Sequence, residues 1–586
     1  MTALLLWAAA LVPGLIAYNV PPSPTLFNQA AALGLWGAAL MALAPACHAS
    51  LRAAAARSAA LQVALSLVAS AAFLSSAVGT LPWALGLSAA GLLLATMALV
   101  LGGAALRPTR TLLLSFFAAW VAAGLANSAV AVIQVFIPHW VDGEWIARSA
   151  DARRAVGNMR QPNHLATLLL WSAVAIVPLV EMGPLGRARW QRAAALALMA
   201  LTVLGITLSG SRTGLVGIAV LALWGLVDRR LSRFSRGLLL AAPLLCAASV
   251  GLMAWWAEAQ GGPAIGAAAR IGQANLSSSR FAIWREALAL IQAQPWLGVG
   301  YGEFNFAWTL TPFPNRPTEF FDHTHNLPLQ LAAELGLPLA GLVLGLLVWG
   351  LWQAWRRCSA LGDETGAPMR AAFVMVLMMA LHSLLEYPLW YAHFLLPTGL
   401  IAGLCLGAAA PLAPSPSPSP SPSPSPSPAG TARSPRWPVT LGLALCLAAV
   451  AVVVDFRRVV VIFSPPPGAA SLEERIEIGQ RSWFFAHHAD YAAITTAERP
   501  ADVMAAFQRT PHHLLDTRLM IAWADALAQS GDVNRARHLA ARLREFRNPA
   551  ADEFFAPCAD ATLAPPPYQC APPQRLYSWR DFTSKP

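Results

Sequence analysis

His323 and His325 stand two residues apart in FDHTHNLPLQLAAELG, just ahead of a long apolar run. Imidazole titrates near neutrality, so a histidine at a water–lipid boundary can take up or release a proton there. Taken alone, the pair is equally well explained as interfacial side chains without a role. Four other polar segments border apolar runs. GNMRQPNHLA carries Arg160, Gln161, Asn163 and His164 at the entry to one run, and SGSRTGLVG carries Ser209, Ser211, Arg212 and Thr213 in a tight turn between two others. SSSRFAIWREAL reads as an amphipathic helix, with Arg280 and Trp284 at i, i+4 on one face and Arg285 beside them. HSLLEYPLWYAHF brings Glu386 together with Tyr387 and Trp390, and His382 one turn deeper. Guanidinium groups hold phosphate oxygens and stabilise a departing phosphate, and a neutral imidazole can deprotonate a hydroxyl. Several arginines, a histidine or two and few carboxylates therefore suit group transfer from a lipid pyrophosphate to a hydroxyl, with aromatic faces to support sugar rings or prenyl chains.

Each segment alone has an ordinary explanation. Arg212 can anchor a helix end, the tryptophans and tyrosines can form an interfacial belt, Gln161 and Asn163 can cap a helix at Pro162, and Glu386 can simply pair with an arginine. The joint pattern carries more weight, because ionisable groups at a bilayer are costly and all of these fall on one side of it.

The side follows from the elements that must position them. Of 586 residues, 56% are hydrophobic and only 12% charged, with a mean hydropathy of +0.52; a soluble globule carries about 25% charged residues. Runs of roughly 20 apolar residues are long enough to cross a bilayer. About 13 such spans are predicted, near 2–19, 27–46, 59–79, 83–105, 111–137, 164–182, 193–208, 213–227, 237–256, 326–354, 370–387, 393–411 and 437–456. The expected class is an all-α polytopic membrane protein. The first span lacks a basic leader and reads as a retained helix.

The net charge of +11 is not a nucleic-acid signature. Arg52 and Arg57, Arg107 and Arg110, Arg187, Arg189 and Arg192, Arg229 to Arg236, Arg356 and Arg357, and Arg433 and Arg436 occupy alternate short loops. That distribution marks the cytoplasmic face and puts the amino terminus inside. Arg457 and Arg458, just past the last span, are a local exception. Because Lys585 is the single lysine, arginine identity alone says nothing about bidentate phosphate binding.

The loops 138–163 and 257–325 are the long ones on the opposite, outer side. Residues 412–436 contain an alternating Pro/Ser run, which forbids helix and sheet and reads as a spacer. The tail from 464 to 586 is expected to be a small soluble helical domain. DTRLMIAWADALAQSGDVNRARHLAARLREF reads as a helical hairpin of tetratricopeptide type, with Gly531 as helix stop and Asp532 as the next cap. One hairpin cannot bury its own face, and 471–496 is the expected neighbour. Cys558 and Cys570 lie in this tail, where a disulfide can persist. The other cysteines have no metal-ligand spacing, and His323 with His325 supplies too few ligands for a metal. No metal and no cofactor are expected.

In chain order, RQPNHLA, SGSRTG, SRFAIWREAL, PWLGVGYGEF, DHTHNLPLQLAAELG and LLEYPLWYAHF resemble the bacterial protein O-oligosaccharyltransferases of the PglL type, within the O-antigen ligase and Wzy polymerase superfamily. The resemblance spans nearly all of residues 1–460, and the tail looks like the family's C-terminal domain. It implies a transmembrane glycosyltransferase domain over residues 1–463, with a periplasmic catalytic loop at 257–325, and a periplasmic domain over 464–586. It further implies a metal-independent, inverting enzyme of the bacterial inner membrane. The implied donor is an undecaprenyl-pyrophosphate-linked glycan, and the implied acceptors are Ser or Thr hydroxyls of exported, pilin-like proteins. His325 corresponds to the family's base, and Arg212 and Arg280 to its arginines. Arg160, Gln161, Asn163, His164, Trp284, Arg285, His323, Asn326, Glu386, Tyr387 and Trp390 are expected to contact substrate. The ligase pattern of His-Asn, nine residues, then Gly is met by His325, Asn326 and Gly336, and departs at Leu339, where ligases prefer a small or hydroxylated residue. Rival expectations are a ligase or polymerase with a glycolipid acceptor, and a secondary transporter. The latter class typically shows internal repeats and midplane charges, and neither is evident here.

Overall fold

A computed structural model describes the chain except residues 152, 272–277, 409–434, 561, 563, 564 and 584–586. The expected Pro/Ser spacer lies outside the described residues but for its last two positions. Among the described residues the regular structure is helical, with one isolated bridge, Cys47 to Leu106, and no strand. Among the described residues ten helices are long and apolar enough to cross a membrane. Three shorter apolar helices, Thr2–Leu15, Arg212–Val227 and Ala392–Gly407, occupy the three remaining predicted spans. The chain is an all-α, multi-pass membrane protein.

Helix Pro162–Glu181 is the central post. It is apolar on every face, and every residue from His164 to Val180 is buried, as a helix without a polar stripe requires. Helices Arg110–Phe136, Arg189–Ser209, Arg212–Val227 and Asp363–Ser383 surround it. Gly399, Gly403 and Gly407 recur every fourth residue along Ala392–Gly407 and let it close onto Trp83–Ala105. A methyl at Gly403 would stand 2.1 Å from the carbonyl oxygen of Val100.

The arginine-rich loops meet one another. Arg57 donates to the carbonyl of Ala104 at 3.2 Å, Arg357 to those of Arg57 at 3.2 Å and of Leu406, Arg230 to that of Ser359 at 2.5 Å, and Arg110 to that of Met182. These contacts gather them on one face of the bundle, and the polar segments singled out above lie at the other ends of the same helices.

The long helix Leu327–Ser359 is broken at Gly336, whose φ of 75° and ψ of 165° leave the helical region. Segment 295–300 docks into the break. Val299 and Gly300 donate to the carbonyls of Ala333 and Glu334 at 2.9 and 3.0 Å, and Leu337 donates to that of Pro295 at 2.7 Å. A Cβ at Gly336 would lie 2.3 Å from the Trp296 carbonyl oxygen, and one at Gly298 2.5 Å from Glu334 backbone. Only glycine fits either place.

Helices Thr517–Gln529 and Val533–Phe546 form the expected hairpin, with Gly531 at φ 88° and the Asp532 side chain capping the second helix through the Arg535 amide. Helix Ala486–Thr496, within the expected neighbour 471–496, packs on it through Ile494 and through Tyr491, whose hydroxyl donates to Asp516 at 2.9 Å. Leu519, Trp523, Leu539 and Phe546 also share a core with Ile283, Leu290, Phe304, Phe306, Trp308 and Leu310 of the large loop, which the sequence did not point to. Polar stitches run the same way: His512 Nδ1 meets Glu303 Oε2 at 2.7 Å, and the Leu515 amide donates to Asn305 at 2.8 Å. Loop and tail therefore share one core and one side of the bundle. The last span continues to Phe463 as helix Trp437–Phe463, so Arg457 and Arg458 lie within it. Arg458 there donates to Asp455 at 3.3 Å and to the Arg481 carbonyl at 2.8 Å, an architectural task that accounts for its position. Cys558 and Cys570 are disulfide-bonded.

Candidate active site

Three helix ends and one loop converge on Glu386. Gln161 caps helix Pro162–Glu181, accepting from the amides of Asn163 and His164, and Pro162 fills the first helical position, where no amide is needed. The cap leaves the Asn163 side chain free to bridge. Its Nδ2 donates to Glu386 Oε1 at 2.7 Å, and its Oδ1 accepts from Ser211 Oγ at 2.6 Å. Ser211 in turn caps helix Arg212–Val227, just past Gly210 in the left-handed region. From the loop helix Ser278–Ala293, Arg280 donates to the same Glu386 oxygen. The second carboxylate oxygen, Oε2, lies 2.5 Å from Nδ1 of His325.

His325 is held there by its loop. Its backbone is itself in the left-handed region, at φ 54°, where non-glycine residues are uncommon and cluster at functional sites. Thr324 is anchored by Gln330 at 2.8 Å and by the Asn326 carbonyl at 2.9 Å, and its own carbonyl accepts from the Trp284 indole at 2.9 Å. Asn326 caps helix Leu327–Ser359 and donates to the Leu384 carbonyl at 2.9 Å, tying the histidine loop to the Glu386 loop.

The electrostatics define the proton. Burial disfavours a charge on Glu386, but the hydrogen bond from His325 and the charges of His325 and Arg280 outweigh it and hold the carboxyl below its ordinary value. An ionised carboxylate only accepts, so Nδ1 of His325 donates the proton of this hydrogen bond and Nε2 points away from the carboxylate. Nε2 has no hydrogen-bond partner among the described residues, and the side chain is 16% exposed. A carboxylate-oriented imidazole whose second nitrogen is unengaged is the arrangement of a general base.

Beside this cluster lies a cavity of about 740 Å³. Gln161, Asn163, Arg212, Arg280 and Glu386 line it, joined by Arg154, Arg316 and Arg547. The last three were not anticipated. Arg316 is fully buried between Trp308 and Phe546, 4.9 and 4.4 Å from their ring centroids, and pairs with Glu545 at 3.2 Å. Burial pushes its pKa down to about 10. Arg547 comes from the end of the tail hairpin and donates to the Arg316 carbonyl at 2.9 Å. No spacing in the sequence ties residue 547 to the membrane motifs; only the shared core brings it there.

The other expected residues fall into two groups. His323 stacks on Tyr387 with centroids 4.3 Å apart and meets the edge of Trp390 at 4.7 Å, with Nδ1 3.1 Å from Asp322. Tyr387 also lies 5.0 Å from the His325 ring, so these aromatics wall the cluster. Arg160, His164 and Arg285 lie off the cavity lining. Arg160 donates to the Ala17 carbonyl at 2.7 Å, His164 is buried against Tyr391 and Phe394, and Arg285 is on the exposed face of its helix.

Known proteins share these segments. Residues 196–344, from before Arg212 to beyond Gly336, match the O-antigen ligase family. Residues 155–177, the segment with Gln161 and Asn163, match the protein glycosylation ligase family. Residues 370–555 match the C-terminal region of the virulence factor membrane-bound polymerases. A general O-oligosaccharyltransferase of Acinetobacter baylyi is 30% identical over 263 residues, 43% of this chain and 44% of that protein. A ComP-specific O-oligosaccharyltransferase of the same organism is 31% identical over 130 residues, 22% of this chain and 23% of that one. The matched part thus spans less than half the length of either relative. Family matches and motif order agree: the chain is similar to the O-antigen ligase superfamily and, within it, to the protein glycosylation ligases.

Proposed function

We propose that this protein transfers an oligosaccharide from a lipid-linked pyrophosphate donor, of the undecaprenyl type, to Ser or Thr hydroxyls of exported, pilin-like proteins. One observation carries the reading: His325, oriented by Glu386, stands beside an arginine-lined cavity at the ends of membrane helices. The acceptor hydroxyl gives its proton to Nε2 of His325 as its oxygen attacks the anomeric carbon. The bond from that carbon to the pyrophosphate oxygen breaks, the electron pair leaves with the pyrophosphate, and a single displacement inverts the centre. Arg212 and Arg280 hold the pyrophosphate as charge develops on it. Glu386 supports the base and positions Arg280, while Gln161 and Asn163 keep the helix ends in register. Trp284 and Asn326 fix the histidine loop, and Tyr387, Trp390 and His323 form its wall. The chemistry needs no metal and no cofactor.

In this reading residues 1–463 form the transferase domain of the bacterial inner membrane, with the amino terminus cytoplasmic. The 257–325 loop and the 464–586 tail are periplasmic. The test is intact-mass analysis of exported proteins from cells with and without the gene. A glycan mass lost from proteins on deletion, with lipid-linked glycan accumulating, is the expected result. A glycan lost from lipid A instead would assign a glycolipid acceptor, and lost solute uptake with unchanged glycans would assign transport.

A further inference from the structure

A second group of ionisable side chains lies in the tail. His487 and His488 open helix Ala486–Thr496, and His513 follows the short turn Thr510–His512. The rings of His487 and His513 are 4.1 Å apart, those of His487 and His488 4.2 Å, and those of His488 and His513 5.2 Å. One nitrogen from each ring lies within 4.8 Å of the others. His487 is 5% exposed, and neither of its ring nitrogens has a hydrogen-bond partner among the described residues. Buried polar atoms are satisfied in the great majority of cases, so two orphan nitrogens on one buried ring call for an explanation.

We propose that His487, His488 and His513 form a binding site for a first-row transition cation of the zinc class. Three imidazoles with an open position suit Zn²⁺, and carboxylate-poor nitrogen sets exclude magnesium and calcium. Zinc–nitrogen bonds of about 2.0–2.1 Å in a tetrahedral site put ligand nitrogens roughly 3.3 Å apart, so closing the group takes only modest ring movements. His513 is exposed and gives the ion its entry, while His487 supplies the buried end.

The surrounding charges tolerate a cation. Arg509, the arginine whose charge bears on His487, is engaged by Asp490 through two hydrogen bonds of 2.5 and 2.8 Å. On the other side, the field of Asp322 reaches His513. Asp322 belongs to the loop that carries His323 and His325. A bound ion would clip two tail segments 25 residues apart, beside the histidine loop. Its role is architectural and separate from the transfer chemistry. The sequence pointed to no metal because these ligands fit no compact spacing motif and meet only in the folded tail.

The test is metal titration of the full-length protein, purified in detergent without a polyhistidine tag and stripped with chelator. Co²⁺ serves as the spectroscopic probe and Zn²⁺ as competitor. The wild type should take up about one equivalent of Co²⁺ with visible ligand-field absorption, displaced by Zn²⁺, and should melt at higher temperature with Zn²⁺ bound. His513→Ala, at an exposed position, should keep the fold and lose affinity by roughly 10²-fold or more; His488→Gln should do the same. The proposal is overturned if the wild type binds no more Co²⁺ than these variants, which would make the group a packed histidine cluster.

Discussion

At the scale of single residues, the proposed chemistry rests on one carboxylate with three partners. Removing a proton-transfer group typically costs about 10²–10⁴-fold in rate. His325→Ala should therefore nearly abolish glycan transfer in a purified assay while the protein stays in the membrane and still binds donor. Near-normal transfer by that variant would reduce the histidine to an interfacial side chain. Arg280→Lys should keep the charge but recover only part of the activity lost in Arg280→Ala, since an ammonium cannot serve Glu386 and a phosphate in one plane. Glu386 also makes a prediction about pH. Its folded value is depressed, so the stability it contributes is present above the ordinary carboxylate range and is lost as pH falls through the depressed value. Glu386→Gln should flatten the acid side of the melting-temperature profile and lower turnover by removing the acceptor that orients His325. An unchanged acid limb would mean that the carboxylate is not ionised against these partners.

At the scale of elements, the site depends on how helices begin and break. Gly336 interrupts Leu327–Ser359 so that segment 295–300 can dock, and a methyl there meets the Trp296 carbonyl in a conformation L-residues avoid. Gly336→Ala should cost about 1–3 kcal/mol from backbone strain alone, read as a lowered melting temperature in detergent, with transfer reduced alongside. Asn326→Ala loses a helix cap worth about 1 kcal/mol, and also the tether to Leu384. Its signature should be a larger fall in turnover than in stability, because the tether sets the distance between His325 and Glu386. Equal falls in both would assign Asn326 to capping alone.

At the scale of the whole molecule, the large loop and the tail share one buried core, so they must lie on the same side of the membrane. Reporter fusions after residues 270 and 500 should both score periplasmic. A cytoplasmic result at either would separate Arg280, His325 and Arg547 into different compartments and dismantle the proposed site. The same core places Arg547 of the tail on the cavity lining and stacks Phe546 on Phe320 at 3.9 Å. The tail is thus one wall of the cavity as well as a partner of the loop.

What could be read from the sequence is what local physics dictates. Apolar length fixes where helices cross a bilayer, and helices stand at every predicted span. Turn chemistry marked Gly531 and Asp532, Pro162 marked a helix start, and the cost of polar groups near lipid marked the segments around Asn163, Arg212, Arg280, His325 and Glu386. Pairing was not legible, because it joins residues far apart in the chain. Glu386 meets His325 across 61 positions, Arg280 across 106 and Asn163 across 223, and no periodicity encodes such distances. For the same reason Arg316 and Arg547 went unseen as cavity residues, while Arg160 and Arg285, equally basic in sequence, turn to a backbone carbonyl and to the exposed face of a helix. Residue type and local pattern decided which groups reach the membrane boundary; helix packing and the shared core of loop and tail decided which of them meet.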